Sequence, residues 1–181
     1  MRIVTIVLAS GLALSGCANP VNRATSDEYA DTCANAERSR RLEVAEQACY
    51  RALVNVDLGN LGPELKSQRL YNLGRIKRQL AKFSEAEDLF KQSLAIEEKL
   101  SKPRDVKIGR RLVELSVSLA GQNKWTEGSR YLERAIPISD QFRGAERSYA
   151  GVAFVEYAKY LRKTDQTGLA KRFETQASSL R

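Results

Sequence analysis

One spacing constrains this chain more than any other feature: an apolar rhythm that returns about every 42 residues along most of its 181 positions. The clearest unit places Leu70, Leu73, Gly74 and Ile76 on one segment, passes through Lys82-Phe83-Ser84-Glu85-Ala86, and continues with Phe90, Leu94 and Ile96. Spacings of three and four on each side of that junction predict two amphipathic helices joined by a tight turn. Ser84, followed three residues later by Glu87, reads as a capping box at the start of the second helix. The unit returns 42 residues later as Leu112, Leu115, Ser116 and Leu119, then Lys124-Trp125-Thr126-Glu127-Gly128, Leu132, Ala135 and Ile136. A further copy runs through Phe154, Tyr157, Ala158, Leu161, Ala170 and Ala177, and an earlier one through Tyr29, Cys33, Ala36, Leu42, Ala45, Cys49, Ala52 and Leu53. A lone helical hairpin cannot cover its own apolar face, so a period of this size predicts hairpins that stack and bury those faces on one another. With only 11 glycines and 4 prolines, the composition agrees with an all-α fold. About four hairpins are expected, near 26–59, 62–101, 104–142 and 145–181.

The stretch NLGRIKRQLAKFSEAEDLFKQSLAIEEKL, with Leu73-Gly74, Ala86, Phe90 and Leu94 in place, resembles the tetratricopeptide repeat (TPR), and its 42-residue spacing is similar to the kinesin-light-chain type. The resemblance implies a right-handed superhelix of antiparallel hairpins. It also implies a concave groove lined mainly by the first helix of each hairpin. Three positions depart from the pattern: Ser93 stands where alanine is usual, Gly128 replaces the small alanine of the second helix, and Glu174 takes an aromatic position. Packing explains the signature residues. Gly74 lets the second helix approach with Ala86 facing it, while Phe83 and Phe90 fill the space on either side. Between copies, Pro103 ends one helix and Asp105 can cap the next. Pro137 falls inside the second helix of its unit and either kinks it or ends it early.

Upstream of the repeats, Arg2 precedes an apolar run at residues 3–14, and Leu14-Ser15-Gly16-Cys17 closes it with small residues before a cysteine. This resembles a bacterial lipoprotein signal peptide, in which residues 1–16 would be removed and Cys17 would become the lipidated first residue. An ordinary cleaved signal peptide and a membrane anchor are the alternatives. The apolar run is shorter than the roughly 17 to 25 residues a spanning helix needs. Ala18 follows Cys17 where many inner-membrane lipoproteins carry aspartate, so the resemblance implies an outer-membrane anchor facing the periplasm rather than an inner-membrane one. Residues 17–25, with Pro20 and no periodicity, read as lipidated cysteine and tether ahead of a helical domain at 26–181.

Three cysteines are an odd number for an exported chain. With Cys17 consumed by lipid, Cys33 and Cys49 remain, either as one bonded pair in an oxidising compartment or as two small buried thiols. The repeat resemblance aligns Cys33 with Gly74 and Cys49 with Phe90, positions that face each other across a hairpin in that family. It therefore implies a disulfide that staples the terminal hairpin and stabilises it by about 3 kcal/mol.

No histidine occurs anywhere in the sequence, which removes the commonest general base and metal ligand. There is also no phosphate-cradling glycine loop and no paired-cysteine metal spacing. Acidic pairs such as Glu85 with Asp88 and Glu97 with Glu98 fall on polar helix faces, where solvated charge is the expected state. The chain therefore reads as a binding protein without catalytic residues, metal or cofactor.

The resemblance places the groove on Gln68, Tyr71, Asn72, Arg75, Arg78 and Gln79, then Arg110, Val113, Glu114 and Val117, then Val152, Val155, Glu156, Lys159 and Arg162. Lys and Arg number 30 against 22 Asp and Glu, so the expected groove is basic. Arginine forks beside a tyrosine suit an acidic or carboxylate-bearing peptide. The same cations also fit a merely solvated helix face. The first expectation is a membrane-tethered adaptor that binds an envelope protein and assists assembly of a pilus, secretion or cell-wall machine. The alternative is a basic surface, formed by Arg38, Arg40 and Arg41, by residues 99–111 and by residues 159–163, that holds an anionic envelope polymer or acidic lipid head groups. Nucleic-acid binding ranks last, because export removes its targets and no aromatic stacking row is present. Oligomeric state is not encoded in any of these features.

Overall fold

The structure is a computed structural model that describes residues 18–100, 102 and 105–181. Among the described residues the chain forms α1 (Pro20–Arg38), α2 (Leu42–Leu58), α3 (Pro63–Gln79), α4 (Phe83–Leu100), α5 (Val106–Gly121), α6 (Trp125–Ser139), α7 (Gly144–Lys163) and α8 (Thr167–Ser179). Consecutive helices pair as four hairpins, and each hairpin stacks on the next, giving an all-α TPR-like solenoid. No helix among the described residues is long and apolar enough to cross a membrane.

All four hairpin turns use one device. Arg40, Ala81, Asn123 and Asp165, spaced at the repeat period, adopt positive φ of 59°, 57°, 61° and 58°. The amide of the following residue then returns to a carbonyl five positions back, at 2.9 Å in every copy: Arg41 to Ala36, Lys82 to Lys77, Lys124 to Leu119 and Gln166 to Leu161. Left-handed backbone at the end of a helix satisfies carbonyls that would otherwise lack donors. No glycine marks any of the four turns.

Four sequence expectations change. Residues 20–25, expected in the tether, belong to α1: the Asn19 side chain accepts from the amide of Val21 at 2.9 Å and Pro20 occupies the first helical position, so the helix begins six residues before 26. The capping box does not form, because α4 starts at Phe83 and the Glu87 carboxylate turns instead to Lys91, Gln122 and Lys124. Phe83 does not pack on Gly74; it covers Gly121 of the following hairpin, while Phe90 alone sits where a Gly74 Cβ would point, at 2.8 Å. Glu97 is not solvated but buried. Pro137 is accommodated in the last turn of α6, which ends two residues later at Ser139. Asp105 caps α5 as expected, accepting from Lys107 N at 2.8 Å. Cys17 and Pro103 lie outside the described residues.

The core changes in character along the array. Around Cys33 and Cys49 the first hairpin contributes Ala36, Ala45 and Ala48, against which Leu73 and Ile76 of α3 pack, whereas the third and fourth hairpins bury Phe142, Phe154, Tyr157 and Phe173. Cys33 and Cys49 form a disulfide with Cα atoms 5.2 Å apart, at the register positions of Gly74 and Phe90. The departure at Gly128 has a direct cause. A Cβ there would fall 1.8 Å from the Tyr157 hydroxyl, which fills the space to donate to the Ser116 carbonyl at 2.6 Å. At the departure on α8, Phe173 supplies the buried ring, and Glu174 turns outward to Arg162.

A buried polar ladder joins the first three hairpins. Ser26 donates to the Ala52 carbonyl and Ser67 to the Ser93 carbonyl, each across its own hairpin. Arg69 then reaches back from α3 to Ser26 at 3.2 Å, and Arg111, one period later, reaches back from α5 to Ser67 at 2.9 Å and Ser93 at 2.7 Å. Glu97 closes the second rung on Arg111 at 3.0 Å. Both of these side chains are about 95% buried, so the charges must be paired to be tolerated.

Candidate functional site

The first helices α3, α5 and α7 line one side of the solenoid, as stacked hairpins require. They enclose a concave cavity of about 790 Å³ together with Leu61 and Phe142 from the inter-hairpin loops. Of the expected groove residues, Gln68, Tyr71, Asn72, Arg75, Arg78, Arg110, Val113 and Glu114 line it. Val113 and Glu114 are buried beneath its floor. Tyr149 and Glu146 of α7 also line it, and the sequence reading did not single them out.

The expected free arginine forks are already engaged. Glu114 is the hub: Arg78 Nε lies 2.6 Å from its Oε2, Arg75 Nε lies 3.9 Å from its Oε1, and the Tyr149 hydroxyl donates to Oε2 at 3.1 Å. Arg75 also pairs with Glu37 of α1 at 2.6 Å, and Arg78 stacks over the Tyr149 ring at 5.1 Å. Arg110 Nε sits 2.9 Å from Glu146 Oε1, an ion pair without hydrogen-bond alignment. Burial, and then the neighbouring Glu114 charge, push the Tyr71 phenol up to about 12; the same two causes raise Tyr149 above the ordinary phenol range. Both tyrosines thus remain neutral hydrogen-bond donors at physiological pH. The groove is a paired lattice of charge, not an open basic trough. Gln68 and Asn72 differ from these arginines, since neither amide is engaged among the described residues.

A second depression, of about 700 Å³, continues from the first and shares Arg78 and Tyr149 with it. Gln79, Val117, Val152 and Glu156 fall there, against Phe83, Trp125 and Tyr157, so this end of the groove is apolar. Gln79 is held by Glu37 across hairpins. The remaining expected residues do not join the groove. Val155, Lys159 and Arg162 line a separate hollow with Ala177, Ser178 and Arg181 at the end of the array, because they lie on the side of α7 turned away from α5. There Arg162 makes two hydrogen bonds to Glu174, at 2.8 and 2.7 Å, and Lys159 pairs with Glu156 at 2.7 Å. Arg111, expected on an exposed basic surface, belongs to the buried ladder.

Among the described residues no cluster of acidic, cysteine or histidine side chains is placed to hold a metal. Residues 68–105 match the tetratricopeptide repeat family. Among solved structures, the chain is similar to BtubC (BKLC) from P. vanneervenii, with a TM-score of 0.75 at 17% identity over 88% of this chain and 64% of that one. It therefore spans less than two thirds of the length of BtubC. It is also similar to the nearly identical TPR-like repeats of a Podosopora anserina protein of kinesin-light-chain type, with a TM-score of 0.66 at 15% identity over 86% of this chain and 74% of that one. A singly substituted form of those same repeats gives the same values. At these identities the likeness concerns the fold. No curated protein matches the sequence.

Proposed function

We propose that this protein is a lipid-anchored adaptor of the bacterial cell envelope, tethered through Cys17 to the outer membrane on its periplasmic side. In this reading it holds an extended segment of an envelope protein in the concave groove and assists assembly of a complex such as a pilus, secretion or cell-wall machine. The observation that carries the binding reading is the combination in one cavity of fixed cations and unengaged amides. Arg75, Arg78 and Arg110 are each held on one edge by Glu37, Glu114 or Glu146, and a guanidinium bound on one edge keeps further N–H donors for a ligand carboxylate. Because these side chains are ordered before binding, little rotamer freedom is lost on capture. The amides of Gln68 and Asn72 can meet the backbone of an extended chain in the same cavity. The anchor rests on the residue pattern at 1–17.

Photo-crosslinking amino acids placed in cells at Gln68 and Asn72, and separately at the exposed α4 positions Gln92 and Ala95, test the binding reading. A discrete partner protein captured from the groove positions alone is expected. Equal capture from both sets would contradict a groove-dependent adaptor. For the anchor, a Cys17→Ser precursor is expected to stay uncut; normal processing and membrane association of that variant would overturn it.

A further inference from the structure

Antiparallel pairing puts the N-terminus of α1 and the C-termini of α2 and α4 on one edge of the solenoid, the edge of the inter-hairpin loops. At its start, the Asn19 amide donates to the Gly59 carbonyl at 2.9 Å, so Val21 and Leu58 flank one backbone contact. Each is 72% exposed, more than any other large hydrophobic side chain among the described residues. Leu100, at the same end of α4, is also exposed, and it stands between Lys99 and Lys102, which have no ion-pair partner among the described residues. Lys107, at the start of α5, is also exposed, with its Nζ 3.7 Å from Glu97 Oε1. Exposed aliphatic side chains on one edge with exposed cations, two of them unpaired, match the two requirements of a surface that rests in the interface of an acidic bilayer.

We propose that this edge is a membrane-contact surface, with Val21, Leu58 and Leu100 entering the bilayer interface and Lys99, Lys102 and Lys107 meeting acidic head groups. The inference rests on the anchored reading above. Since α1 begins at Pro20, Cys17 is three residues from the helix, a span of at most ~10 Å. Acyl chains on Cys17 therefore hold this edge, and no other, against the bilayer. The solenoid then stands on its inter-hairpin loops, and its hairpin turns point away from the membrane.

The test uses the mature lipidated protein on vesicles of phosphatidylglycerol and phosphatidylethanolamine. Single substitutions Val21→Cys, Leu58→Cys and Leu100→Cys carry a nitroxide, with Val44→Cys and Tyr50→Cys as controls that are apolar and exposed but lie away from the edge. Collision with oxygen relative to an aqueous nickel complex is expected to be several-fold higher at 21, 58 and 100 than at 44 and 50. Vesicle-bound protein with equal ratios at all five sites would overturn the proposed edge while leaving the anchor intact. Failure of the mature protein to associate with vesicles would overturn the anchor and the edge together. Replacing Lys99, Lys102 and Lys107 by glutamate is expected to lower the ratio at 100 more than at 21.

Discussion

The first and last hairpins share one register and are fastened in opposite ways. At the first, Ala36, Ala45 and Ala48 supply little apolar bulk, and the Cys33–Cys49 bond joins the helices covalently. At the last, Phe154, Tyr157 and Phe173 interlock edge to face with centroids 5.4 and 6.4 Å apart, and Trp125 from α6 stacks on Tyr160. Gly74 with Phe90 is the intermediate case: one helix gives up its side chain so that the other can fill the gap. The comparison teaches that the repeat fixes where two helices meet but not which interaction joins them. A terminal hairpin, packed on one side only, needs either a large buried ring or a cross-link.

If aromatic packing closes the C-terminal end, Phe173→Ala should be the most damaging of the changes considered, lowering stability by about 3–5 kcal/mol in denaturant unfolding. A loss below about 1 kcal/mol would show that the ring is not what holds α8. Removing both cysteines as Cys33→Ala and Cys49→Ala is expected to cost about 3 kcal/mol, with amide exchange accelerated in α1 and α2 and little changed in α7 and α8. Uniform acceleration along the chain would erase the distinction between the two ends. Gly128→Ala should cost about 1–3 kcal/mol through the clash with the Tyr157 hydroxyl. Part of that loss should be recovered when Tyr157→Phe is added, as a double-mutant cycle would reveal, since the hydroxyl is the nearest of the atoms the new Cβ meets.

A smaller effect concerns the middle of the array. Burial of Glu87 raises its pKa, but hydrogen bonds from Lys91, Lys124 and Gln122 outweigh that and lower it to about 2. A carboxyl lowered on folding contributes stability above its unfolded pKa of about 4.3 and loses it as pH falls toward the folded value. The Glu87→Gln variant should therefore match the wild type near pH 2 and fall below it by about 1 kcal/mol at neutral pH, the partner lysines being partly exposed. A constant gap across that range would assign the difference to packing.

Much of the fold could be read from the sequence because helix pairing is written in apolar spacing, and Leu70, Leu73, Leu112, Leu115 and Phe154 are all buried as that spacing requires. The position of the hairpin turns was legible but their backbone was not: Arg40, Ala81, Asn123 and Asp165 take left-handed backbone without the glycine that usually signals it. The ladder does leave a trace in the sequence, since Arg69 and Arg111 recur one period apart on otherwise apolar faces. Of the groove, position was legible and charge state was not. Gln68, Asn72, Arg75 and Arg110 reach the cavity as the repeat register implies, but Glu37 and Glu146, the partners of Arg75 and Arg110, come from neighbouring hairpins, which no local pattern connects. At α7 the same register positions, Val155, Lys159 and Arg162, line a separate hollow with α8 instead of the groove.

The central claim is that a partner protein is held by the concave groove. It is tested most directly by in-cell crosslinking and mass spectrometry of the wild type beside a Gln68→Ala, Asn72→Ala, Arg110→Ala variant, whose three changes spare the buried Glu114 hub and the ladder. The account predicts that one partner captured by the wild type is lost from the variant while its helical content and unfolding midpoint are retained. The same partner captured in equal yield by a folded variant would contradict it.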